Sequence, residues 1–222
     1  GLALSDRQHL ITDAGQLVPG FTKEIHGVEF FVHSPFASRL ADGTVIDRNT
    51  DSLVVQATFL VDGFKTKLLL GADIGYEEIE DIVSITTAHK KEERLEWDIF
   101  KLPHHCSYKT LGPEKGKDKT EPVPSVRWLF DTQGQRRGIV ISTSKPIPTN
   151  DEDTQPPHRQ AAAFYREVVA KLGGQFFATM EYPDVSKPEP IVITVDRFKS
   201  TVRKRSSVIG ASAITATAPR VG

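Results

Sequence analysis

Two histidines stand side by side in the run Lys101-Leu102-Pro103-His104-His105-Cys106-Ser107. Neutral imidazole is the commonest zinc ligand, and a strand end that runs into a turn holds it firmly at a sheet rim. Neighbouring side chains on an extended chain point to opposite sides, so only one of the pair faces a given site unless the turn rotates the other round. A hydrogen-bonded surface or core pair is the plainer use of the same residues. The second chemistry-bearing position is Asp73, which closes the apolar run Leu68-Leu69-Leu70-Gly71-Ala72 ahead of a predicted helix. A carboxylate there is able to bridge two cations through both oxygens, or simply to cap the helix.

These residues need elements to carry them. β-rich patterns predict strands over 24–32, 52–61, 65–70, 97–102, 138–143, 176–180 and 191–195, with Asp62-Gly63 as a hairpin turn between the second and third. Apolar residues at three- and four-residue spacing predict helices over 76–89 and 158–172, the second closed by Gly173-Gly174, and a helical turn over 126–130. Residues 39–49, 109–124 and 146–157 read as turns and polar loops. The expected class is α+β or layered α/β, with strands more numerous than helices and the two alternating late in the chain.

The chain has 222 residues and a formal net charge of −1, which argues against a globally basic nucleic-acid binder but leaves room for a local patch. A single cysteine excludes an intramolecular disulfide framework and a four-cysteine zinc site. No stretch approaches the roughly 18 apolar residues of a membrane span, and no basic-then-apolar leader is visible, so no membrane association and a cytoplasmic location are expected.

Taken in order, the motifs resemble the later half of the metallo-β-lactamase superfamily, most closely its competence-protein-type branch, whose members handle DNA or other phosphodiesters. The matching pieces are Asn49-Thr50-Asp51-Ser52-Leu53-Val54, the strand ending at Gly71-Ala72-Asp73, and Pro103-His104-His105-Cys106-Ser107. Later come a strand ending near Ser144, Pro157-His158, the helix to Leu172 and a strand reaching Thr179. The likeness spans residues 24–196. It divides the chain into a poorly patterned 1–23, this unit, and a basic Ser/Thr/Ala-rich tail over 197–222.

The resemblance implies an αβ/βα layered sandwich, incomplete in this chain, and a metal-dependent hydrolase acting on phosphodiesters or related esters through a metal-bound hydroxide. It carries Asp73 onto the bridging aspartate and His104 onto the late histidine ligand of a zinc or manganese centre. Ser107 matches the turn serine, with Asp73, His104 and Ser107 as the catalytic set and His105, Cys106 and His158 as supporting residues. Cys106 stands where the family turn has glycine.

The family's early His-x-His-x-Asp-His signature is absent from the seven histidines, His9, His26, His33, His89, His104, His105 and His158. One aspartate and one histidine fall short of the three protein ligands of a catalytic zinc site. Three accounts are open: a fragment, since the sequence starts at Gly1; a site shared with a partner chain or second copy; or a degenerate member that binds rather than cuts. A half sandwich exposes an apolar sheet face, so a missing half or a partner is expected to cover it. The rival to the hydrolase is therefore a non-catalytic binding or scaffold protein. In the tail, Arg203, Lys204 and Arg205 form with Arg197 and Lys199 a basic cluster suited to a nucleic-acid backbone.

Overall fold

The computed structural model describes residues 11–35 and 52–203. The turn region 39–49, the first three residues of the Asn49 motif and the tail from residue 204 lie outside them.

Six strands form one mixed sheet in sequence order: β1 (Val28–Ser34), β2 (Val54–Val61), β3 (Phe64–Gly71), β4 (Trp97–Lys101), β5 (Gly134–Ser142) and β6 (Gln175–Ala178). The first three pair antiparallel, and β3 to β6 pair parallel. Asp62 and Gly63 both take positive φ, 49° and 82°, the backbone a two-residue hairpin demands. The strand expected from Glu24 starts later. A short helix α1 (Lys23–His26) uses those residues, and Gly27 at φ 73° ends it.

Three crossovers join the parallel strands: α2 (Tyr76–Ala88), α3 (Pro124–Asp131) and α4 (Arg159–Leu172). Each steps one strand in the same direction. Since such crossovers are almost always right-handed, all three helices belong on one face. The core agrees: Leu69, Phe100, Val140 and Phe176 lie in lateral register, and the first three are buried with Ile79, Ile82, Leu129, Phe130, Phe164 and Val168 from the helices. Trp97 is fully buried and donates its indole N–H to the Leu129 carbonyl, 3.1 Å away. Gly174 approaches Gly138 so closely that a Cβ on it would meet the Gly138 carbonyl oxygen at 1.9 Å.

The opposite face holds a smaller cluster. Ile99 and Ile139 pack there under a two-stranded hairpin, β7 (Ile193–Val195) and β8 (Ser200–Val202). Residues read from sequence as the start of a loose tail thus include a paired strand. The described residues form an α+β unit with one helical layer on a six-stranded sheet and this hairpin behind it.

Among the described residues no further strand pairs beyond β1, yet the outer edge of β1 is occupied. Gly15 donates to Val32, Val32 to Gln16 and Val18 to Phe30. Glu29 on this strand is buried and held by Lys23 and Arg94 at 2.5 and 2.8 Å, which meets the need of a buried carboxylate for partners.

Candidate functional site

Parallel strands of one sheet present all their carboxyl ends at one rim, which is where α/β sheets usually bind ligands. That rim gathers Asp73 after β3, His104 and His105 after β4, and Thr143 after β5.

The histidines sit in a tight turn over Pro103–Cys106, in which His104, His105 and Cys106 take φ of 47°, 52° and 65°. Three successive left-handed residues are costly for side chains that carry a Cβ. They achieve the rotation that an extended chain lacks. His105 swings to the rim, where its Nδ1 bonds the Thr143 carbonyl oxygen at 2.7 Å and its Nε2 lies 3.6 Å from Asp73 Oδ1. A carbonyl only accepts, so Nδ1 carries a proton, and in the neutral imidazole the Nε2 lone pair faces the carboxylate. Two electron-rich atoms then face each other with no hydrogen between them, a gap suited to an electropositive guest. Zinc bound tetrahedrally at about 2.0–2.1 Å to nitrogen and oxygen sets such ligand atoms about 3.3 Å apart. The pair fits one edge of such a polyhedron.

His104 is half-buried, and its backbone N–H donates to the Ala72 carbonyl. Burial chiefly lowers its pKa, with His105 and Lys109 adding to the effect and Asp73 opposing it. Among the described residues, no group of three or more His, Cys, Asp or Glu side chains is arranged to hold a metal ion. Asp73, His104 and His105 are thus not grouped as three donors around one point among the described residues.

The remaining expected residues build the turn. Ser107 is buried; its hydroxyl accepts from the Lys109 N–H and its carbonyl from Thr110, so it caps the next turn. Cys106 points into the helix-side core at 0 % exposure, and burial pushes its thiol far above the ordinary range. His158 is buried as well, with its Nδ1 3.4 Å from the Tyr108 N–H and its Nε2 3.3 Å from the Thr154 carbonyl. Both ring nitrogens serve the fold, and burial lowers its pKa. Arg203 follows β8, its backbone N–H donating to Val192 and its carbonyl accepting from the Tyr182 hydroxyl. Lys204 and Arg205 lie outside the described residues.

Two contributors escaped the sequence. Thr143 acts through its carbonyl, which no side-chain pattern announces. Lys101 donates its ammonium to the Gly71 carbonyl at 2.7 Å, and its pKa is lowered by burial, with Asp73 acting the other way. Its one sequence signal is a cation that ends the strand Trp97-Asp98-Ile99-Phe100-Lys101. Two other histidines have local duties: His33 Nε2 bonds the Arg94 carbonyl at 2.9 Å, and His26 Nδ1 accepts from Thr22. Asp151 of the acidic loop is held by Arg159, Gln160 and Lys115, which ties the two polar loops to α4.

No family model, curated protein or solved structure matches the chain. The likeness to metallo-β-lactamases rests on the motifs alone.

Proposed function

We propose that the chain is the later part of a metallo-β-lactamase-like αβ/βα hydrolase and that Asp73 and His105 contribute donors to its metal centre. The substrate class is a phosphodiester or related ester, and the metal is zinc or manganese. The observation that carries this reading is the His105 imidazole, fixed by Thr143 with its free nitrogen 3.6 Å from Asp73. Backbone-oriented histidines of this kind are typical metal ligands. Lys101 beside Asp73 favours an anionic substrate at the same rim. The reading needs further ligands, from a partner chain, a second copy or chain beyond the described residues. His104 and Ser107 keep supporting places, one lining the rim and one fixing the turn. The location proposed is the cytoplasm, where a lone reduced thiol is at home. No helix among the described residues is long and apolar enough to cross a membrane.

The test is elemental analysis of the purified chain after equilibration with micromolar zinc or manganese, set beside an Asp73→Ala/His105→Ala variant. Metal retained by the wild type and lost from the variant, together with metal-dependent cleavage of a generic phosphodiester, is the expected result. An intact fold that retains no metal removes the catalytic reading for this chain and leaves the scaffold.

A further inference from the structure

At the other end of the parallel strands, under the tip of the β7–β8 hairpin, lies a cavity of about 310 Å³. Thr66 on its wall and Asp73 at the candidate site are seven residues apart along the chain of β3 and its exit, roughly 23 Å at about 3.3 Å per residue.

The cavity gathers cations in an unusual way. β4 and β5 pair at Trp97 with Gly134 and next at Ile99 with Ile139, so β5 loops out extra residues between the two points. Arg136 and Arg137 lie on that bulge, with Arg137 at φ 66°. Both are exposed, and neither has an ion pair, hydrogen bond or ring contact among the described residues. By contrast Arg94, Arg127 and Arg159 all have carboxylate partners. Lys199 adds a third positive charge from the hairpin tip.

Two aromatic rings flank these cations. Asp196 accepts from the N–H groups of Phe198 and Lys199 at 2.7 and 3.0 Å, which shapes the tip and leaves Phe198 68 % exposed. Arg197 sits over the Phe198 ring at 4.6 Å, and Phe64 is 44 % exposed on the sheet side. Exposed rings beside cations offer faces on which a planar group can stack. The wall also carries groups that a bare anion does not satisfy. Asp98 accepts from the Lys67 N–H and offers its other lone pairs, and the Ser200 hydroxyl is buried with no partner among the described residues. Cations for a phosphate, rings for a planar base, and a carboxylate with hydroxyls for sugar or amino donors occur together in one known kind of ligand.

We propose that this cavity binds a nucleotide unit, with its phosphate on Arg136 and Arg137 and its base against Phe198 and Phe64. The unit is either a free nucleotide or one residue of a single strand. The site shares no residue with the Asp73 rim and stands whether or not that rim hydrolyses anything.

Binding of adenosine 5′-monophosphate and of a short labelled oligothymidylate is measured by calorimetry and fluorescence anisotropy at low and moderate salt. EDTA is present so that metal-dependent binding at the Asp73 rim contributes nothing. Saturable binding of the mononucleotide identifies a nucleotide site, and binding of the oligomer alone identifies a single-strand site; either supports the proposal. Arg136→Ala/Arg137→Ala is expected to weaken binding about tenfold or more and to lower the salt slope by about 0.7 for each phosphate charge no longer neutralised. Phe198→Ala is expected to weaken it about fivefold or more with the salt slope unchanged. Unaltered circular dichroism and melting confirm that the exposed replacements fold. No binding of either probe at low salt, or binding indifferent to the arginines, overturns the proposal.

Discussion

The carbonyl oxygen of Thr143 stands 2.7 Å from Nδ1 of His105, so the end of β5 decides which nitrogen of a β4-borne imidazole looks toward Asp73. The ring is set by the register of the parallel strands. Register is among the least adjustable features of a sheet, because a one-residue slip turns every side chain over.

This arrangement predicts that the two histidines are not equivalent. His105→Ala is expected to reduce zinc affinity at least about tenfold, the lower end of what losing an oriented partner of a metal site costs. His104→Ala is expected to change it less. Zinc titration against a chromophoric chelator reads both, and equal losses would contradict the assignment of His105 as the donor.

Cys106 is predicted to be chemically silent in the folded protein. Burial holds it as the thiol, with Arg166 only partly offsetting that effect. An aromatic disulfide reagent is expected to label it only after denaturation. Cys106→Ser puts a hydroxyl in the same apolar pocket and is expected to cost about 1–3 kcal/mol in urea unfolding. Rapid labelling of the native protein would refute the burial.

His33 predicts an acid-sensitive contribution to stability. Burial lowers its folded pKa from 6.5 to about 4, against the Arg94 carbonyl that raises it. Between these values the unfolded chain binds a proton that the folded chain refuses, so stability rises with pH. The contribution is complete above the unfolded value, is lost as pH falls toward the folded one, and totals about 3 kcal/mol. Lowering the pH from about 7.5 to about 5 is expected to cost wild type about 2 kcal/mol more than His33→Gln, read by urea unfolding. Parallel pH profiles of the two proteins would remove His33 as the cause.

Gly174→Ala is predicted to disrupt the sheet side of α4. Its Cβ has backbone of Gly138 on the other side, which cannot rotate away as a side chain could. A loss of at least about 2 kcal/mol, or failure to accumulate folded protein, is expected. Thermal melting of Gly174→Ala against Ala170→Gly, an exposed helical control, separates the clash from general sensitivity of the region.

Much of the fold was legible because periodicity and turn chemistry are local. Asp62-Gly63 announces its hairpin, Gly173 ends α4 at φ 64°, and the spacing of Ile79, Ile82 and Val83 marks the face of α2. The β7–β8 pair was not legible at its second strand, since Ser200-Thr201-Val202 is too short for a pattern and sits among charges. The early part of β5 was hidden for a similar reason: Gln135-Arg136-Arg137 breaks the apolar run on a bulge. At the rim, Asp73 and the histidine pair stood out by type. Their true neighbours, Thr143 and Lys101, came from register and side-chain reach. The left-handed turn that lets His105 face Asp73 has no glycine to announce it.

The start of α4 is pinned to that turn. The His158 N–H donates to the Cys106 carbonyl at 3.0 Å, and the His158 ring accepts from Tyr108. Loop 146–157, which Asp151 clamps to α4, therefore shares a mechanical linkage with the backbone one residue from the His105 ring. The position of that loop and the tilt of a single imidazole thus rest on one short stretch of backbone.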